Sequence, residues 1–388
     1  MEAALSEGQR AIRESVLKLC APFDDGYWME KDRTGGFPHD FQQALAAGGW
    51  IGIAMPEEHG GAGQGIAEAA VMMQAIAESG AAMAGASSIH MSIFGPNVIV
   101  RHGTPEQKAR MLPALISGAE IACFAVTEPD AGLDTTRIAT RARREGERYI
   151  VDGRKVWTSL GQVAHRILIL ARTTPLAECA RPTDGMSLFF TAFDRDRIEA
   201  REIDKMGRKA IDSNQLFIDG LEVPAGDRIG EEGKGFSYLL ESLNPERILI
   251  AAEAIGIGRA ALARATAYAR ERTVFGRAIG QNQAIQHPLA VNWMELEAAN
   301  LMMLQAARLY DAGAPCGIEA NAAKYLAAEA GWNACVTAQT THGGYGYARE
   351  YHVERYLREV TICRLAPVSR ELILCHIAER QLGLPKSY

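Results

Sequence analysis

Closely spaced cysteines, an excess of basic charge and long apolar runs are all missing from this chain of 388 residues. Its seven cysteines lie far apart with no CxxC pair, which argues against a disulfide framework and for a reducing, cytoplasmic compartment. No run approaches the roughly 20 apolar residues of a membrane span, and residues 1–8 lack the apolar core of a leader. The net charge of −6 argues against a nucleic-acid partner. The nine histidines show no ligand spacing, so no metal site is predicted.

What is present is an ordinary globular composition, 48% apolar and 23% charged, arranged in three zones. Residues 1–120 carry apolar side chains at helical spacing and predict an α-helical domain. Short apolar and β-branched runs dominate residues 121–229 and predict a small barrel or sandwich. Helical periodicity returns over residues 230–388. The expected fold class is therefore α+β and multidomain, with helices on either side of a β domain.

Several local signals predict particular turns and packing. Thr104-Pro105-Glu106-Gln107 is a helix start, with threonine as the N-cap and proline in the first turn. Asp152-Gly153, inside a β-rich run, is typical of a two-residue hairpin turn. Gly256-Ile-Gly258 nearly matches a dinucleotide-binding pattern, but it lies in an Ala-rich helical run. These glycines are therefore expected to serve close helix packing.

The stretch from Ala122 to Thr136 organises the functional prediction. Cys123–Thr127 reads as a short strand, and Glu128-Pro129-Asp130-Ala131-Gly132 ends it with a turn in which Gly132 permits positive φ. Such a turn exposes backbone N–H groups, which suits an anion or the polar edge of a ring. The two segments can hold a planar cofactor, and an ordinary strand exit is the alternative.

This stretch resembles the Thr-Glu-Pro-Gly-Ala-Gly-Ser-Asp signature of the acyl-CoA dehydrogenase family, which lies along a flavin. Other segments similar to that family follow in compatible order: Pro56-Glu-Glu-His-Gly-Gly, Val156-Trp157-Thr158-Ser159, Arg272-Thr-Val-Phe275-Gly276 with Gln283, His342-Gly-Gly-Tyr-Gly-Tyr347 and Val353-Glu-Arg-Tyr356. The resemblance covers nearly the whole chain. It implies an N-terminal α-helical domain, a middle β-barrel domain and a C-terminal four-helix bundle. It also implies FAD, an acyl-CoA substrate, electron-transfer flavoprotein as acceptor and a homo-oligomer, either a dimer or a tetramer.

The resemblance assigns FAD contacts residue by residue. Trp157 is expected near the flavin ring, the alternative being a barrel core residue. Arg272 is expected on the pyrophosphate of a neighbouring subunit's FAD, because a guanidinium grips phosphate in a bidentate way; a solvated helix-end cluster is the alternative. Gly343-Gly344 is expected at the adenine half, or it simply ends a helix. The predicted FAD-binding residues are Phe124, Val126, Thr127, Gly132, Leu133, Trp157, Thr158, Ser159, Arg272, Phe275, Gln283, Thr340, Gly343, Gly344, Ser369 and Glu371.

The reaction that the resemblance implies removes an α-proton from an acyl thioester while a β-hydride leaves for flavin N5. It requires a carboxylate in a water-poor pocket, where desolvation raises the pKa toward working pH. The family places this glutamate at one of two positions. Leu365-Ala-Pro-Val-Ser369 contains no carboxylate, whereas Asn244-Pro-Glu-Arg247 matches the isovaleryl- and long-chain-type position. Glu246 is therefore the predicted base. Predicted substrate contacts are Leu133, Asn244, Arg247, Pro367 and Val368.

A different structure is possible around Glu246. Asn244 is a good N-cap and Pro245 a good first helical residue, so Glu246 could be a first-turn acid favoured by the helix dipole. The favoured alternative is a helix that begins near Phe236 and runs through Pro245, as in the family.

Three departures from the family pattern concern contacts with the substrate or with FAD. Pro367 occupies a position whose backbone N–H helps hold the thioester carbonyl, and the loss of one such donor weakens enolate stabilisation by roughly 3 kcal/mol. Leu133 replaces a serine that contacts the CoA arm, and Asp130 replaces a glycine. Thr340 stands where a glutamine usually contacts FAD.

The predicted function is FAD-dependent α,β-dehydrogenation of an acyl-CoA to trans-2-enoyl-CoA, in fatty or branched acyl catabolism. One alternative is a flavin-dependent oxidase or monooxygenase on the same fold, which would consume oxygen without an added acceptor. Another is a catalytically decayed structural subunit of a mixed oligomer, which would purify without FAD.

Overall fold

The computed structural model describes residues 5–387. Residues 1–4 and 388 lie outside the described residues. They include half of the segment 1–8 and the outer ends of the first and last predicted domains. None of the helices formed by residues 5–387 combines the length and apolar character needed to cross a membrane.

Within the described part of the chain, seven α-helices precede the first strand: α1 Glu7–Cys20, α2 Asp25–Thr34, α3 His39–Ala47, α4 Ile66–Ile76, α5 Ala82–Phe94, α6 Asn97–His102 and α7 Pro105–Ile116. The predicted cap of α7 is confirmed, because the Thr104 side chain accepts the Gln107 N–H while the Gln107 side chain accepts the Thr104 N–H. Helices α4 and α5 are rich in Ala, Met and Ile and are buried on nearly all sides. They form the inner layer of this helical unit.

The strands after residue 121 form one eight-stranded sheet in the order β6-β7-β3-β2-β4-β5-β8, with β1 parallel to β4. They are β1 Ala122–Ala125, β2 Arg141–Glu145, β3 Arg148–Ser159, β4 Arg166–Arg172, β5 Met186–Ala192, β6 Ile198–Glu202, β7 Ser213–Pro224 and β8 Arg228–Ile229. Alternate residues of β4 enter two different apolar clusters, Ile167 and Ile169 in one, Leu168 and Leu170 in the other. Both faces of the sheet are therefore covered at its centre.

The predicted turn at Asp152-Gly153 is wrong. Strand β3 continues through both residues, and the turn that joins it to β2 contains Gly146, whose φ is 62°. Gly153 is required for another reason, because a Cβ at this position would lie 2.3 Å from Thr140 Oγ1. The Asp-Gly pair lies at an irregularity in the β3–β7 pairing, and Thr140, next to the neighbouring strand β2, approaches Gly153 closely.

The last part of the chain is helical: α8 Gly235–Glu271, α9 Gln283–Asp311, α10 Gly317–His342, α11 Val353–Leu365 and α12 Arg370–Arg380, with a small hairpin of β9 Thr273–Val274 and β10 Arg277–Ala278. The predicted fold class, helices, then a β unit, then a helical bundle, is confirmed. Helix α8 packs against α4, α5 and α10 in one shared apolar core. The close-packing role of Gly256 is also confirmed, because a Cβ there would lie 2.4 Å from the Gln74 carbonyl oxygen.

Candidate active site

A buried ion pair holds the end of β1. Lys155 in β3 is fully buried, and its Nζ lies 2.9 Å from Glu128 Oε1, 3.0 Å from the Val126 carbonyl oxygen and 2.8 Å from a carbonyl oxygen of β4. The Glu128 carboxylate also accepts two backbone N–H groups, at 2.6 and 2.9 Å. Burial lowers the pKa of Lys155 to about 8, although Glu128 opposes this effect. Because these polar atoms are paired, their hydrogen bonds fix the end of β1 in a single position against β3 and β4.

The turn after β1 differs from the predicted one. Glu128 and Ala131 exchange backbone hydrogen bonds of 3.2 and 3.1 Å, so the turn closes around the two residues between them. Gly132 does not adopt the positive φ that was expected. A Cβ at Gly132 would nevertheless meet nothing within 4 Å, and the neighbouring Leu133 side chain is exposed. The backbone after the turn is therefore accessible to a ligand.

Trp157 lies on the surface and not in the core of the sheet. Its side chain is 60% exposed, and its φ of 62° is rare for a bulky residue. The adjacent Thr158 is buried, and its Oγ1 has no hydrogen-bond partner. The Val156 N–H donates to the Thr127 carbonyl oxygen at 2.9 Å, which attaches this part of β3 to the stretch that follows β1. The predicted residues of both stretches therefore lie side by side.

These features fit a flavin. An exposed indole, an unpaired buried hydroxyl and an open backbone at Gly132 provide an apolar platform and polar groups for a planar ring with polar edges. Of the other predicted contacts here, Val126 is buried and Phe124 is half-buried. FAD would thus be held along the ends of β1 and β3.

Glu246 lies inside α8, one residue after Pro245, so the helix runs through the proline and the N-cap alternative is excluded. Its side chain is half-buried, and Oε2 is buried without a hydrogen-bond partner. Burial raises the pKa of Glu246 to about 7, while the positive charges of His90, Arg247 and Lys324 act in the opposite direction. A carboxyl group in this state can accept a proton near neutral pH.

The predicted substrate residues lie on both sides of Glu246 in sequence and in space. Asn244 Oδ1 accepts a hydrogen bond from Arg247 Nη1 at 2.9 Å, and Arg247 Nε is buried without a partner. From α10, the buried Lys324 donates from Nζ to the Val368 carbonyl oxygen at 2.6 Å. Burial lowers the pKa of Lys324 to about 8. This contact fixes the segment before α12, which carries Pro367, against the helical bundle.

A buried histidine–glutamate pair lies beside Glu246, and sequence analysis missed it. His90 Nδ1 in α5 is 2.6 Å from Glu253 Oε1 in α8, and both side chains are buried. Burial alone lowers the pKa of His90, but the nearby Glu253 and Glu246 carboxylates raise it overall. The sequence feature that could have revealed the pair is Glu253. It lies seven residues after Glu246, on the same helix face, within an otherwise apolar run.

Arg208, also missed, joins the helices to the sheet. Its guanidinium donates from Nη1 to Ser87 Oγ in α5 at 3.1 Å and from Nη2 to Ser159 Oγ in β3 at 3.2 Å. Burial lowers the pKa of Arg208, and the charge of Glu253 opposes the shift. Its φ of 58° is a left-handed conformation that sequence patterns do not signal for arginine.

The remaining predicted FAD residues form a second, separate surface. Tyr268 stacks on His342 with ring centroids 4.3 Å apart, which places Gly343 and Gly344 near the end of α8 where Arg272 lies. The exposed members of this surface are Arg272, Phe275, Gln283, Thr340, Gly343 and Gly344. At about 1.5 Å of rise per residue, Arg272 lies roughly 39 Å along α8 from Glu246. One chain therefore does not bring the two groups of residues together.

Two further predicted contacts lie at the start of α12. Ser369 is its N-cap, accepting the Leu372 N–H at 3.3 Å, and Glu371 in the first turn is exposed. The Ser369 side chain thus has a structural role that the residue pattern alone did not distinguish from cofactor binding.

Comparison with known proteins agrees with this geometry. Family models for the acyl-CoA dehydrogenase N-terminal, middle and C-terminal domains match residues 6–119, 123–221 and 233–382. The site and fold define a flavin-dependent oxidoreductase that acts on CH–CH bonds. The chain belongs to the acyl-CoA dehydrogenase family, whose cofactor is FAD.

Individual relatives match over almost their whole length. Acyl-CoA dehydrogenase FadE12 of Mycobacterium tuberculosis is 35% identical over 392 residues, covering 99% of this chain and 98% of the relative. The structure of butyryl-CoA dehydrogenase from Megasphaera elsdenii has a TM-score of 0.93 at 27% identity, covering 97% and 99%. A chain from a structure of the electron transferring flavoprotein of Acidaminococcus fermentans has a TM-score of 0.92 at 28% identity, covering 97% and 98%.

Proposed function

We propose that this enzyme converts an acyl-CoA to its trans-2-enoyl-CoA with Glu246 as the base that accepts the α-proton. The observation that carries the proposal is the unpaired, buried Glu246 Oε2 on a carboxyl whose pKa burial raises to about 7. Such a group is partly ionised at neutral pH and has an oxygen available for a carbon-bound proton. When bound, FAD supplies the acceptor for the β-hydride.

The neighbours of Glu246 are suited to hold the thioester. Arg247 carries a buried Nε without a partner, and the Lys324–Val368 contact keeps the segment with Pro367 beside α8 and α10. Because Pro367 has no N–H, it donates no hydrogen bond to the thioester carbonyl, and Val368 or the cofactor must provide the donors there. The positive charges near Glu246, which include Arg247 and Lys324, favour the enolate that develops as Glu246 removes the proton.

We further propose that two copies of the chain complete each FAD site. The surface around Arg272 is exposed, and the Phe275 side chain is fully accessible to solvent. An apolar hairpin beside an arginine is a costly surface for an isolated subunit. Its position about 39 Å along α8 from Glu246 supports a contribution to the cofactor of a neighbouring subunit, in a dimer or tetramer.

Electron-transfer flavoprotein is the proposed electron acceptor. The A. fermentans structure, described as an electron transferring flavoprotein and studied for flavin-based electron bifurcation, includes a chain with this fold. Reduction of purified electron-transfer flavoprotein by the acyl-CoA-reduced enzyme tests the assignment. Rapid reoxidation by oxygen instead would favour the oxidase alternative.

The reaction is tested by anaerobic addition of short, branched, long and ring-bearing acyl-CoAs to FAD-loaded protein. At least one acyl-CoA is expected to bleach the flavin absorbance, and Glu246→Gln is expected to remain oxidised. Glu241→Gln, an exposed carboxylate in α8, is the matched control and should bleach like the parent. If the Glu246→Gln enzyme bleaches as fast as the control, another residue is the base.

A further inference from the structure

The His90–Glu253 pair leaves one polar atom on each side chain unpaired. His90 Nδ1 and Glu253 Oε1 bond to each other at 2.6 Å, but His90 Nε2 and Glu253 Oε2 are buried and have no partner. The two residues are 6% and 0% exposed. A buried polar atom without a partner costs about 1–3 kcal/mol, so this pair is expensive unless a ligand completes it.

The two unpaired atoms have opposite hydrogen-bonding character. The carboxylates near His90 raise its pKa and so favour the protonated ring, in which Nε2–H is a free donor. Glu253 Oε2 is a free acceptor. A hydroxyl group both accepts and donates, and it can satisfy both atoms at once. A plain hydrocarbon satisfies neither.

The pair lies in line with the proposed base. Glu253 follows Glu246 by seven residues, so both project from the same side of α8, about 10 Å apart along its axis. His90 acts electrostatically on Glu246 as well as on Glu253. Its ring also contacts Phe94, with centroids 5.0 Å apart, and Phe94 contacts Phe124 of β1 at 5.5 Å. The pair therefore lies between α5 and α8, and Phe94 connects it to Phe124 of β1.

We propose that His90 and Glu253 form a polar subsite for the distal part of the acyl group, and that the preferred acyl-CoA carries a hydroxyl beyond the two reacting carbons. The inference rests on the proposed function, because it assumes that the thioester is held at Glu246. Arg208, which bonds Ser87 of the same helix α5, adds a positive charge near this subsite. The hydroxyl would donate to Glu253 Oε2 and accept from His90 Nε2.

Binding is measured by calorimetry on the FAD-loaded Glu246→Gln enzyme, which is expected not to turn over. The probes are hydroxyacyl-CoAs of one chain length, with the hydroxyl moved one carbon at a time, and the unsubstituted acyl-CoA. One hydroxyl position is expected to bind at least about tenfold more tightly than the unsubstituted chain. The gain should disappear in a background that also carries His90→Leu and Glu253→Leu. Replacing both partners of a buried pair by apolar residues is compatible with folding, and this variant should bind the unsubstituted chain at least as well.

Three outcomes decide the proposal. A position-dependent gain that the double replacement abolishes supports it. A gain below about twofold at every position overturns it, since ordered water would then complete the pair as well as a hydroxyl does. A gain that survives in the Leu/Leu background also overturns it, since the hydroxyl would then bind elsewhere. If plain acyl-CoAs bleach the parent flavin while no hydroxyl preference exists, only the subsite is lost. If no acyl-CoA of either kind binds to the protein or bleaches its flavin, the proposed function is lost together with the subsite.

Discussion

Two sets of buried charged side chains in this enzyme differ in how completely they are paired. Lys155 and Glu128, at the end of β1, bond to each other and to surrounding backbone groups. Glu246, His90 and Glu253, between α5 and α8, each retain a buried polar atom with no partner. A fully paired charge fixes the position of strands, whereas an unpaired one lowers stability and leaves an atom free for chemistry or ligand binding. The first set is structural, and the second set carries the proposed base and the proposed subsite.

The largest expected effect is on the rate of flavin reduction. Glu246→Gln should lower that rate by about 10²–10⁴-fold in anaerobic rapid mixing, because the amide does not accept the α-proton. Glu246→Asp keeps a carboxylate but withdraws it by one methylene, and its loss should be smaller. Equal losses in the two variants would contradict a role as base and indicate a packing role.

The paired charge should instead govern stability. Lys155→Met leaves Glu128 buried without its cation and should cost about 3–5 kcal/mol in urea unfolding. Adding Glu128→Leu should recover much of that loss. A single variant as stable as the parent would show that the pair is not needed to hold the end of β1.

Removing the unpaired Glu246 charge should instead raise the free energy of unfolding. The pKa of Glu246 is raised from 4.5 to about 7 in the folded protein, so its contribution is present below pH 4.5 and is lost as the pH rises through 7. At about 1.4 kcal/mol per pKa unit, Glu246→Gln should therefore gain roughly 3–4 kcal/mol over the parent at about pH 8, and nothing at about pH 4. Urea unfolding of both proteins across this range measures the difference. A gain that is independent of pH would exclude ionisation as its cause.

The smallest expected effect is a displaced pH profile. Flavin reduction should rise with pH to a half-maximum near 7, as Glu246 ionises. His90 lowers the pKa of Glu246, and its removal also leaves Glu253 without a counter-charge. His90→Asn should therefore move the midpoint to higher pH. His287→Asn, in an exposed part of α9, is the control and should leave the midpoint in place. A downward displacement in His90→Asn would contradict the assigned charge on His90.

The helix that carries Glu246 was predicted from the family resemblance, because Asn244 and Pro245 by themselves fit a helix start equally well. The Asn244–Arg247 pattern placed Glu246 on α8, and the helix continues through Pro245 as expected. The turn predicted at Asp152-Gly153 was wrong because the glycine there has a different role. A glycine can serve a tight turn or the approach of another segment, and only the position of Thr140 distinguishes the two.

Local spacing of apolar, capping and turn residues accounts for the order of helices, strands and helices and for the start of α7, since these features depend on interactions within a few residues. The environment of Glu246 does not follow from any such spacing. His90 and Glu253 are 163 residues apart, and Arg208 belongs to a loop between β6 and β7. Desolvation, charge pairing and unpaired atoms exist only once these distant elements pack around one space, and for that reason folding, not local pattern, set the chemistry of the site.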